Sequence, residues 1–313
     1  MAEEKKQEKQ QNAPVAGNAA AVTLQKGGKD RSIKNSKIVG NVFTYIVLVL
    51  AAGLVFFPLL VVFMNSFKAK LYISTSPFTF PTAETFVGFT NYVTGIKQSD
   101  FFSSLLNSLL ITVCSTVLIL ILCSMAAWFL TRVQTWWTKV IYYVIIFSMI
   151  VPFQMVMLPL AGVAGILKLK NVWGIILIYV GFGAGLSTFM YSGFVKGVPV
   201  DIEESAMIDG CNPLQTFFHV VFPVMKPTTI TIAILNVMWI WNDYLLPYQV
   251  LGTTKGKTTL PVAIQIAMQG GYGDVNMGGF MAMIVLTIIP VIVFYLFGQK
   301  YIIKGVISGA VKG

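Results

Sequence analysis

The sequence predicts an all-α integral membrane protein with six transmembrane helices and a cytoplasmic helix-turn-helix loop between helices 4 and 5. Of its 313 residues, 56% are hydrophobic and 11% are charged, whereas about 25% of the residues in a soluble domain are charged. Six apolar stretches reach the roughly 20 residues that a helix needs to cross a bilayer. The alternating pattern of transmembrane strands is absent, so we expect helices to span the membrane.

The apolar stretches set the positions of the six predicted spans. They cover residues 42–64, 105–130, 140–160, 172–195, 228–250 and 277–297. If the amino terminus is cytoplasmic, fifteen of the 22 lysines and arginines lie on the inner side and seven on the outer side. Because cytoplasmic loops carry the excess of these residues, the sequence predicts a multi-pass membrane protein with both termini in the cytoplasm.

The segment before the first span differs in composition from the rest of the chain. Residues 1–38 are polar, low in aromatic side chains and rich in Lys, Gln and Ala. Such a segment cannot bury enough apolar surface to offset the entropy lost on folding. We therefore predict a disordered cytoplasmic tail over residues 1–38, followed by a membrane domain over residues 39–313.

The loop between the fourth and fifth spans, residues 199–226, is called the elbow loop here. Asp201 is a candidate helix cap, and Glu204 follows it at the spacing of a capping box. Gly210 can adopt the left-handed conformation that ends a helix, and the Asn-Pro pair at 212–213 is typical of a new helix start. The elbow loop is thus predicted to contain two short helices.

The second predicted helix of the elbow loop has an apolar face that must be buried. Its members recur at helical spacing: Leu214, Phe217, Phe218, Val221 and Phe222. The spacing alone leaves open whether this protein or a partner covers that face.

The elbow loop resembles the EAA loop of ABC-importer permeases, in which E-A-A is followed by three residues, G, nine residues and I-x-L-P. Here the pattern is Glu204-Ser205-Ala206, Gly210 and Val220-x-Phe222-Pro223, with both spacings intact and a serine in place of one alanine. Three further stretches resemble the carbohydrate-uptake permeases of the maltose type: NSLLIT at 107–112, WNDYLLP at 241–247 and YIIKGVISGAVKG at 301–313. The resemblance covers residues 40–313.

The resemblance implies a permease subunit of an ATP-driven, binding-protein-dependent importer that moves an oligosaccharide or related carbohydrate across the bacterial cytoplasmic membrane by alternating access. The implied partners are a second homologous permease, two ABC ATPase subunits, an extracytoplasmic sugar-binding protein and membrane lipid. The implied ATPase-coupling residues are Glu203, Glu204, Ser205, Ala206, Asp209, Gly210 and Pro223, and Glu204 is expected to pair with a basic group on the ATPase.

The chain itself lacks the motifs of an ATP site or a metal site. The phosphate-binding pattern G-x-x-x-x-G-K-[ST] is absent from the sequence, so we expect ATP and Mg²⁺ to bind the partner ATPase and this chain to hold no cofactor and not to be an enzyme. The single histidine, His219, has no second metal ligand near it in sequence, so no metal site is predicted. Without a basic surface interleaved with aromatic residues, no nucleic-acid partner is expected.

Polar side chains within the predicted spans have two interpretations. Asn236, Trp239 and Asp243 lie on one face of the fifth span at i, i+3 and i+7, as expected for side chains that line a sugar passage. Alternatively, Asp243 and Asn242 fix the packing of helices near the headgroups. Gln154, in the third span, is open to the same two interpretations.

Two other transporter classes are weighed against the carbohydrate permease. An ion-coupled secondary transporter would carry charges near mid-membrane and paired broken helices in two repeated halves, but Asp243 lies off centre and no repeat is visible. An ABC permease for a non-sugar solute, such as an amino acid, a peptide or phosphate, would share the elbow loop but lack WNDYLLP.

Overall fold

The structure, a computed structural model, describes residues 16–254, 256–268 and 275–310, with side chains placed for residues 41–254, 256–268 and 275–300. Among the described residues, Lys68 and Phe86 form an isolated antiparallel bridge. The helices are α1 Ala16–Asn65, α2 Lys70–Thr75, α3 Thr90–Ser99, α4 Phe101–Arg132, α5 Trp136–Phe147, α6 Phe153–Ile166, α7 Val172–Val195, α8 Asp201–Ile208, α9 Pro213–Val224, α10 Lys226–Asn242, α11 Leu245–Leu251, α12 Leu260–Met268 and α13 Met277–Ala310.

The first predicted span lies in α1, whose strongly apolar part is Asn41–Asn65. The helix extends back to Ala16, residues 1–15 lie outside the described residues, and the disordered tail over residues 1–38 stays a prediction. Extending a helix costs far less than nucleating one, and the alanines at 19–21 are strong helix formers. The chain divides into two compact units, Met1–Val61 and Val62–Gly313.

Four predicted spans correspond to continuous helices that are long and apolar enough to cross a membrane. They are Asn41–Asn65, Phe101–Arg132, Val172–Val195 and Met277–Lys300. Helices α9 and α10 meet the same criteria only as a pair, with a bend of 78° between them. The two remaining apolar helices, α5 and α6, are shorter, so the count of six spans stays a prediction.

The third predicted span is divided between α5 and α6 at Pro152. Proline has no N–H and forces the residue before it away from the helical conformation. Pro152 is extended, with ψ 134°, and α6 begins at the next residue. The chain before it turns through short-range bonds, of which one joins the Ile150 N–H to the Phe147 carbonyl at 3.0 Å.

The core of the unit Val62–Gly313 lies where α4 packs against α7. Ile119, Tyr179 and Tyr191 are fully buried there. Gly183 of α7 permits the close approach, because a Cβ atom at this position would lie 2.5 Å from Ile119 Cδ1 and 3.0 Å from Oδ1 of Asn236. Small residues at such crossings let membrane helices approach closely, so α4, α7 and α10 meet at this glycine.

The segment between α1 and α4 folds around a buried lysine. The Lys68 side chain is fully buried, and its ammonium donates to the Ser76 carbonyl at 2.9 Å and lies 3.4 Å from the Thr79 hydroxyl. Burial lowers the pKa of Lys68, because the charged form loses hydration. The Asn91 amide donates to the Lys68 carbonyl at 2.9 Å and thereby ties α3 to the same stretch of chain.

Candidate functional site

The first helix of the elbow loop, α8, begins one residue earlier than the predicted cap allows. Val200 already has helical dihedral angles, φ −68° and ψ −30°, and its carbonyl accepts bonds from the N–H groups of Glu203 at 2.8 Å and Glu204 at 3.0 Å. Asp201 therefore lies in the first turn and no side chain caps α8. The predicted Asp201–Glu204 capping box is wrong, although acids in the first turn still suit the positive end of the helix dipole.

The turn after α8 forms at the predicted glycine. Gly210 has φ +89°, the left-handed region in which L side chains are strained. Its N–H bonds to the Met207 carbonyl, and the Cys211 N–H bonds to the Ala206 carbonyl, both at 3.0 Å. These two bonds form a Schellman motif, which confirms that Gly210 ends the helix.

The second helix, α9, begins at the predicted Asn-Pro pair. The Asn212 side chain accepts from the Gln215 N–H, and the Gln215 side chain accepts from the Asn212 N–H, both at 2.9 Å. Pro213 occupies the first helical position, where its missing N–H costs nothing. The predicted cap of α9 is therefore confirmed.

A π-helical turn over Phe217–Val221 decides which face of α9 is buried. Pro223 follows it and cannot donate to an α-helical ladder. Phe217 and Val221 are buried in the core, whereas Leu214 and Phe218 remain 59% and 45% exposed. This chain thus buries only part of the predicted apolar face. The sole histidine, His219, is also exposed, 3.0 Å from the Gln215 carbonyl through Nδ1.

Glu203, an acid in the first turn of α8 that was predicted as a coupling residue, points into the protein. Its side chain is 3% exposed and forms an ion pair with Arg132 at the end of α4, with 2.7 Å between Oε1 and Nη2. Arg132 Nε also donates to Oε1, at 3.0 Å, and the Trp128 indole donates to Oε2 at 2.9 Å. Arg132 Nη2 reaches the Val198 carbonyl as well, at 2.9 Å. Both carboxylate oxygens of Glu203 are therefore occupied within this chain.

The remaining side chains of α8 separate into an inner and an outer set. Ala206 is 8% exposed and faces inward with Glu203. Glu204 and Ile208 are exposed, the latter to 86%. Of the seven predicted coupling residues, five lie at the surface: Glu204, Ser205, Asp209, Gly210 and Pro223. Acids beside an exposed isoleucine are a surface suited to binding another protein.

The residues predicted to line a passage are not equally accessible. Asn236 is 5% exposed, and its amide donates to the Ser187 hydroxyl at 3.2 Å and to the Ile232 carbonyl at 2.9 Å. The bond to Ser187 joins α10 to α7, and the bond to Ile232 lies within α10. Trp239 is 42% exposed, and its ring meets Tyr179 edge to face with 5.5 Å between centroids. Gln154 is also exposed.

Asp243 ends α10 and starts α11. It is extended, with ψ 126°, and its Oδ1 accepts from the N–H groups of Leu245 at 3.0 Å and Leu246 at 3.4 Å. The Tyr179 hydroxyl donates to Oδ2 at 3.0 Å. Asn242 is exposed, and its amide bonds only within its own helix, to the Met238 carbonyl at 2.7 Å. The contacts of Asp243 thus fit the packing interpretation, and they show why the fifth predicted span is interrupted.

The other end of α4 holds a second loop. The Asn107 amide donates to the carbonyls of Gly256 at 3.1 Å and Thr258 at 3.2 Å. The Ser108 hydroxyl accepts from the Leu260 N–H at 2.7 Å and so satisfies the first residue of α12. The NSLLIT stretch therefore positions residues 256–260, which we call the clamped loop.

A comparison with known families agrees with this architecture. Residues 119–308 match the family described as the binding-protein-dependent transport system inner membrane component. The match covers more than half of the chain and includes the elbow loop. The chain belongs to this family. The permease is therefore a membrane transport component rather than an ion-coupled secondary transporter, and the resemblance to ABC-importer permeases is confirmed.

Related proteins of known sequence cover most of this permease. It is 37% identical over 255 residues to the "Probable starch degradation products transport system permease protein AmyC" of Thermoanaerobacterium thermosulfurigenes, covering 82% of this chain and 91% of that one. It is 31% identical to the "Multiple sugar-binding transport system permease protein MsmG" of Streptococcus mutans, with 90% and 100% covered. It is 34% identical to the "Melibiose/raffinose/stachyose import permease protein MelC" of Bacillus subtilis, with 82% and 92% covered.

The fold also has a counterpart among solved structures. A chain of a bacterial ABC transporter involved in the import of the acidic polysaccharide alginate aligns with a TM-score of 0.68 and 22% identity, over 85% of this permease and 97% of that chain. The similarity is one of fold, and it covers most of the chain.

Sequence reasoning missed the residues that hold the elbow loop in place. Arg132 and Trp128 lie at i and i−4 on α4 and so share one face, yet neither was predicted to take part in the site. One indication was available: Arg132 follows directly on an apolar stretch of more than 20 residues, and an arginine there is expected to seek a partner.

Proposed function

We propose that this permease is one subunit of an ATP-driven, binding-protein-dependent importer that carries an oligosaccharide or related carbohydrate across the cytoplasmic membrane by alternating access. A second homologous permease would complete the pathway, and an extracytoplasmic sugar-binding protein would deliver the substrate. Two ABC ATPase subunits would bind ATP and Mg²⁺ and supply the energy. The carbohydrate class is supported by the names of the three relatives, each of which is a permease of a sugar transport system.

The observation that carries the ATPase partner is the exposed face of α8. Glu204 and Ile208 are the most prominent parts of a surface that combines acids with apolar side chains. Glu204 supplies a carboxylate for a basic group of the ATPase, and Ile208 supplies apolar area that docking would remove from water. The sequence contains no phosphate-binding pattern G-x-x-x-x-G-K-[ST], which supports an ATPase carried by a separate subunit.

The proposed topology places the elbow loop and both termini in the cytoplasm. It contains six spans, of which the third is formed by α5 and α6 and the fifth by α10 and α11. The excess of lysine and arginine on the side of the elbow loop supports this orientation. Interrupted spans are tolerated in a membrane where the free backbone groups are satisfied inside the protein, as the Asp243 carboxylate satisfies those of α11.

Within the proposed passage, Trp239, Gln154 and Asn242 are the candidates that the structure leaves accessible. A half-exposed indole can stack on the apolar face of a sugar ring, and an exposed amide can bond to sugar hydroxyls. Asn236 and Asp243 act behind this surface, since their polar atoms are engaged by neighbouring groups. The predicted lining is thereby narrowed to three side chains, those of Trp239, Gln154 and Asn242.

The test is to co-express the permease with its partner subunits, purify through a tag on this chain and reconstitute the assembly with the binding protein. Glu204→Arg should reduce the ATPase recovered by about tenfold, the equivalent of roughly 1.4 kcal/mol of binding, and uptake should fall with it. Glu84→Arg, at an exposed acid outside the elbow loop, is the matched control. Full ATPase recovery and uptake with Glu204→Arg would sink the docking proposal.

The substrate class is tested in the same proteoliposomes. Labelled oligosaccharides should be taken up in an ATP-dependent manner, whereas an amino acid, a short peptide and phosphate should not. Trp239→Ala should lower uptake without lowering ATPase recovery. If one of the three non-sugar solutes is taken up and oligosaccharides are not, the carbohydrate proposal is wrong and that solute class is the substrate.

A further inference from the structure

Two elements of the elbow loop are attached to the same two residues of α4. The guanidinium of Arg132 contacts the Glu203 carboxylate of α8 and the Val198 carbonyl before it. The indole of Trp128 donates to Glu203 and packs on Phe217 of α9, with 5.5 Å between ring centroids. Helices α8 and α9 are therefore both attached to the last turns of α4.

The buried ion pair between Arg132 and Glu203 opposes the separation of α8 from α4. A carboxylate that is 3% exposed is costly to bury unless it is paired and fully hydrogen-bonded. Here Glu203 accepts two hydrogen bonds from the Arg132 guanidinium and one from the Trp128 indole. Charge-assisted hydrogen bonds of this kind are stronger than neutral ones. Pulling α8 away from α4 would break all three bonds at once, so the low-energy motion keeps the two helices together.

Helix α4 is suited to carry that motion over a long distance. It has 32 residues and no glycine or proline, whereas proline interrupts the chain between α5 and α6. About 38 Å separates Asn107 from Arg132 at 1.5 Å per residue. At the far end, Asn107 and Ser108 hold the clamped loop and the start of α12.

We propose that Arg132 and Glu203 are positioning residues that fasten the elbow loop to α4, so that displacement of α8 by the ATPase moves α4 and, through Asn107, the clamped loop on the opposite face. The proposal rests on the proposed function of α8 as the ATPase-docking helix. It assigns to Glu203 a role opposite to that of its neighbour: Glu204 faces the partner, and Glu203 holds the helix that the partner pushes.

The attachment itself is tested on the purified full-length permease, without ATPase, by hydrogen exchange of backbone amides. Glu203→Gln should raise the exchange rates of α8 amides by about tenfold or more, because local opening no longer breaks a charge-assisted pair. Arg132→Lys, which keeps the charge and loses the fork, should have a smaller effect in the same direction. Glu204→Gln is the matched control and should leave exchange in α8 unchanged.

The pairing is tested by combining the two substitutions. If Arg132 and Glu203 act as a unit, Arg132→Lys with Glu203→Gln should raise exchange no more than Glu203→Gln alone. Effects that add in the double variant would overturn the pairing, and so would unchanged exchange in Glu203→Gln. Since no ATPase is present, these outcomes are independent of the docking proposal.

Transmission is tested in the assembled transporter. A non-hydrolysable ATP analogue should change the exchange of amides in residues 256–268 of the wild type. Glu203→Gln should reduce that change at least about threefold and raise the ATP hydrolysed per sugar transported by a similar factor, while ATPase recovery stays at the wild-type level. Asn107→Ala should reduce the change from the other end of α4.

The outcomes separate the two proposals. Loss of ATPase recovery in Glu203→Gln to the extent seen in Glu204→Arg would make Glu203 a docking residue and overturn its positioning role. An ATP-dependent change at 256–268 that survives in Glu203→Gln would overturn transmission through α4. Failure of the ATPase to bind wild-type permease would refute the docking proposal, while the exchange experiment on the isolated chain would still decide the attachment.

Discussion

The two ends of α4 are fixed by different chemistry. At one end, Arg132 and Glu203 form an ion pair whose members are 19% and 3% exposed. At the other end, Asn107 donates its amide to two backbone carbonyls of the clamped loop, at 3.1 and 3.2 Å. The first contact joins charged side chains, and the second joins a neutral side chain to the main chain.

This difference governs what each end loses when one partner is removed. A buried carboxylate without its cation has neither water nor a counter-ion. A carbonyl without its amide partner loses one neutral bond and can accept from another donor or from water; the Gly256 carbonyl already accepts from the Ser103 hydroxyl at 3.1 Å. Removing one partner should therefore cost far more stability at the charged end than at the neutral end, although both ends belong to the same helix.

The largest expected effect is at the charged end. Arg132→Ala leaves Glu203 with only the Trp128 indole as a donor, so we expect the free energy of unfolding to fall by about 3–5 kcal/mol. Denaturant titration of the purified permease in detergent measures this. Lys139→Ala, at an exposed base near the same end, should change the value by less than about 0.5 kcal/mol. Equal effects of the two variants would erase the distinction between the two ends of α4.

An intermediate effect is expected at the neutral end. Asn107→Ala removes two hydrogen bonds to the clamped loop, and we expect the free energy of unfolding to fall by about 1–3 kcal/mol. Asn242→Ala is the matched control, because that amide is exposed and bonds only within α10. The same titration measures both. A loss in Asn107→Ala as large as that in Arg132→Ala would show that charge is not what separates the ends.

The elbow loop was largely predictable because its determinants are local. Gly210 ends α8 through backbone conformation, and Asn212 caps α9 through residues three apart. The error at Asp201 also has a local cause, since Val200 continues the helix backward by one residue. Which of the two adjacent glutamates faces inward was not predictable, because Arg132 is 71 residues away in the chain.

The interrupted spans were harder to predict for the opposite reason. An apolar stretch of about 20 residues indicates a span by its total hydrophobicity, and this measure does not register a break of one or two residues. Pro152 gave a local indication in the third span, but in the fifth the break depends on Asp243 capping α11 and on the hydroxyl of Tyr179 from another helix. The polar residues there were judged by their position on one helix face, while their bonds are made across helices.

The smallest expected effect is at the hydrogen bond between Tyr179 and Asp243, a half-buried acid that has no cation as partner among the described residues. Tyr179→Phe removes one donor from Asp243 and leaves its two backbone N–H bonds, so the carboxylate keeps most of its partners. Interhelical hydrogen bonds in membranes contribute about 0.6 kcal/mol on average, and we expect a loss of that order in the free energy of unfolding. The phenyl ring preserves the edge-to-face contact with Trp239. Trp173→Phe, at an exposed ring of the same helix, is the control. A loss approaching that of Arg132→Ala would mean that acid burial, rather than the loss of the sole cation, sets the cost at both sites.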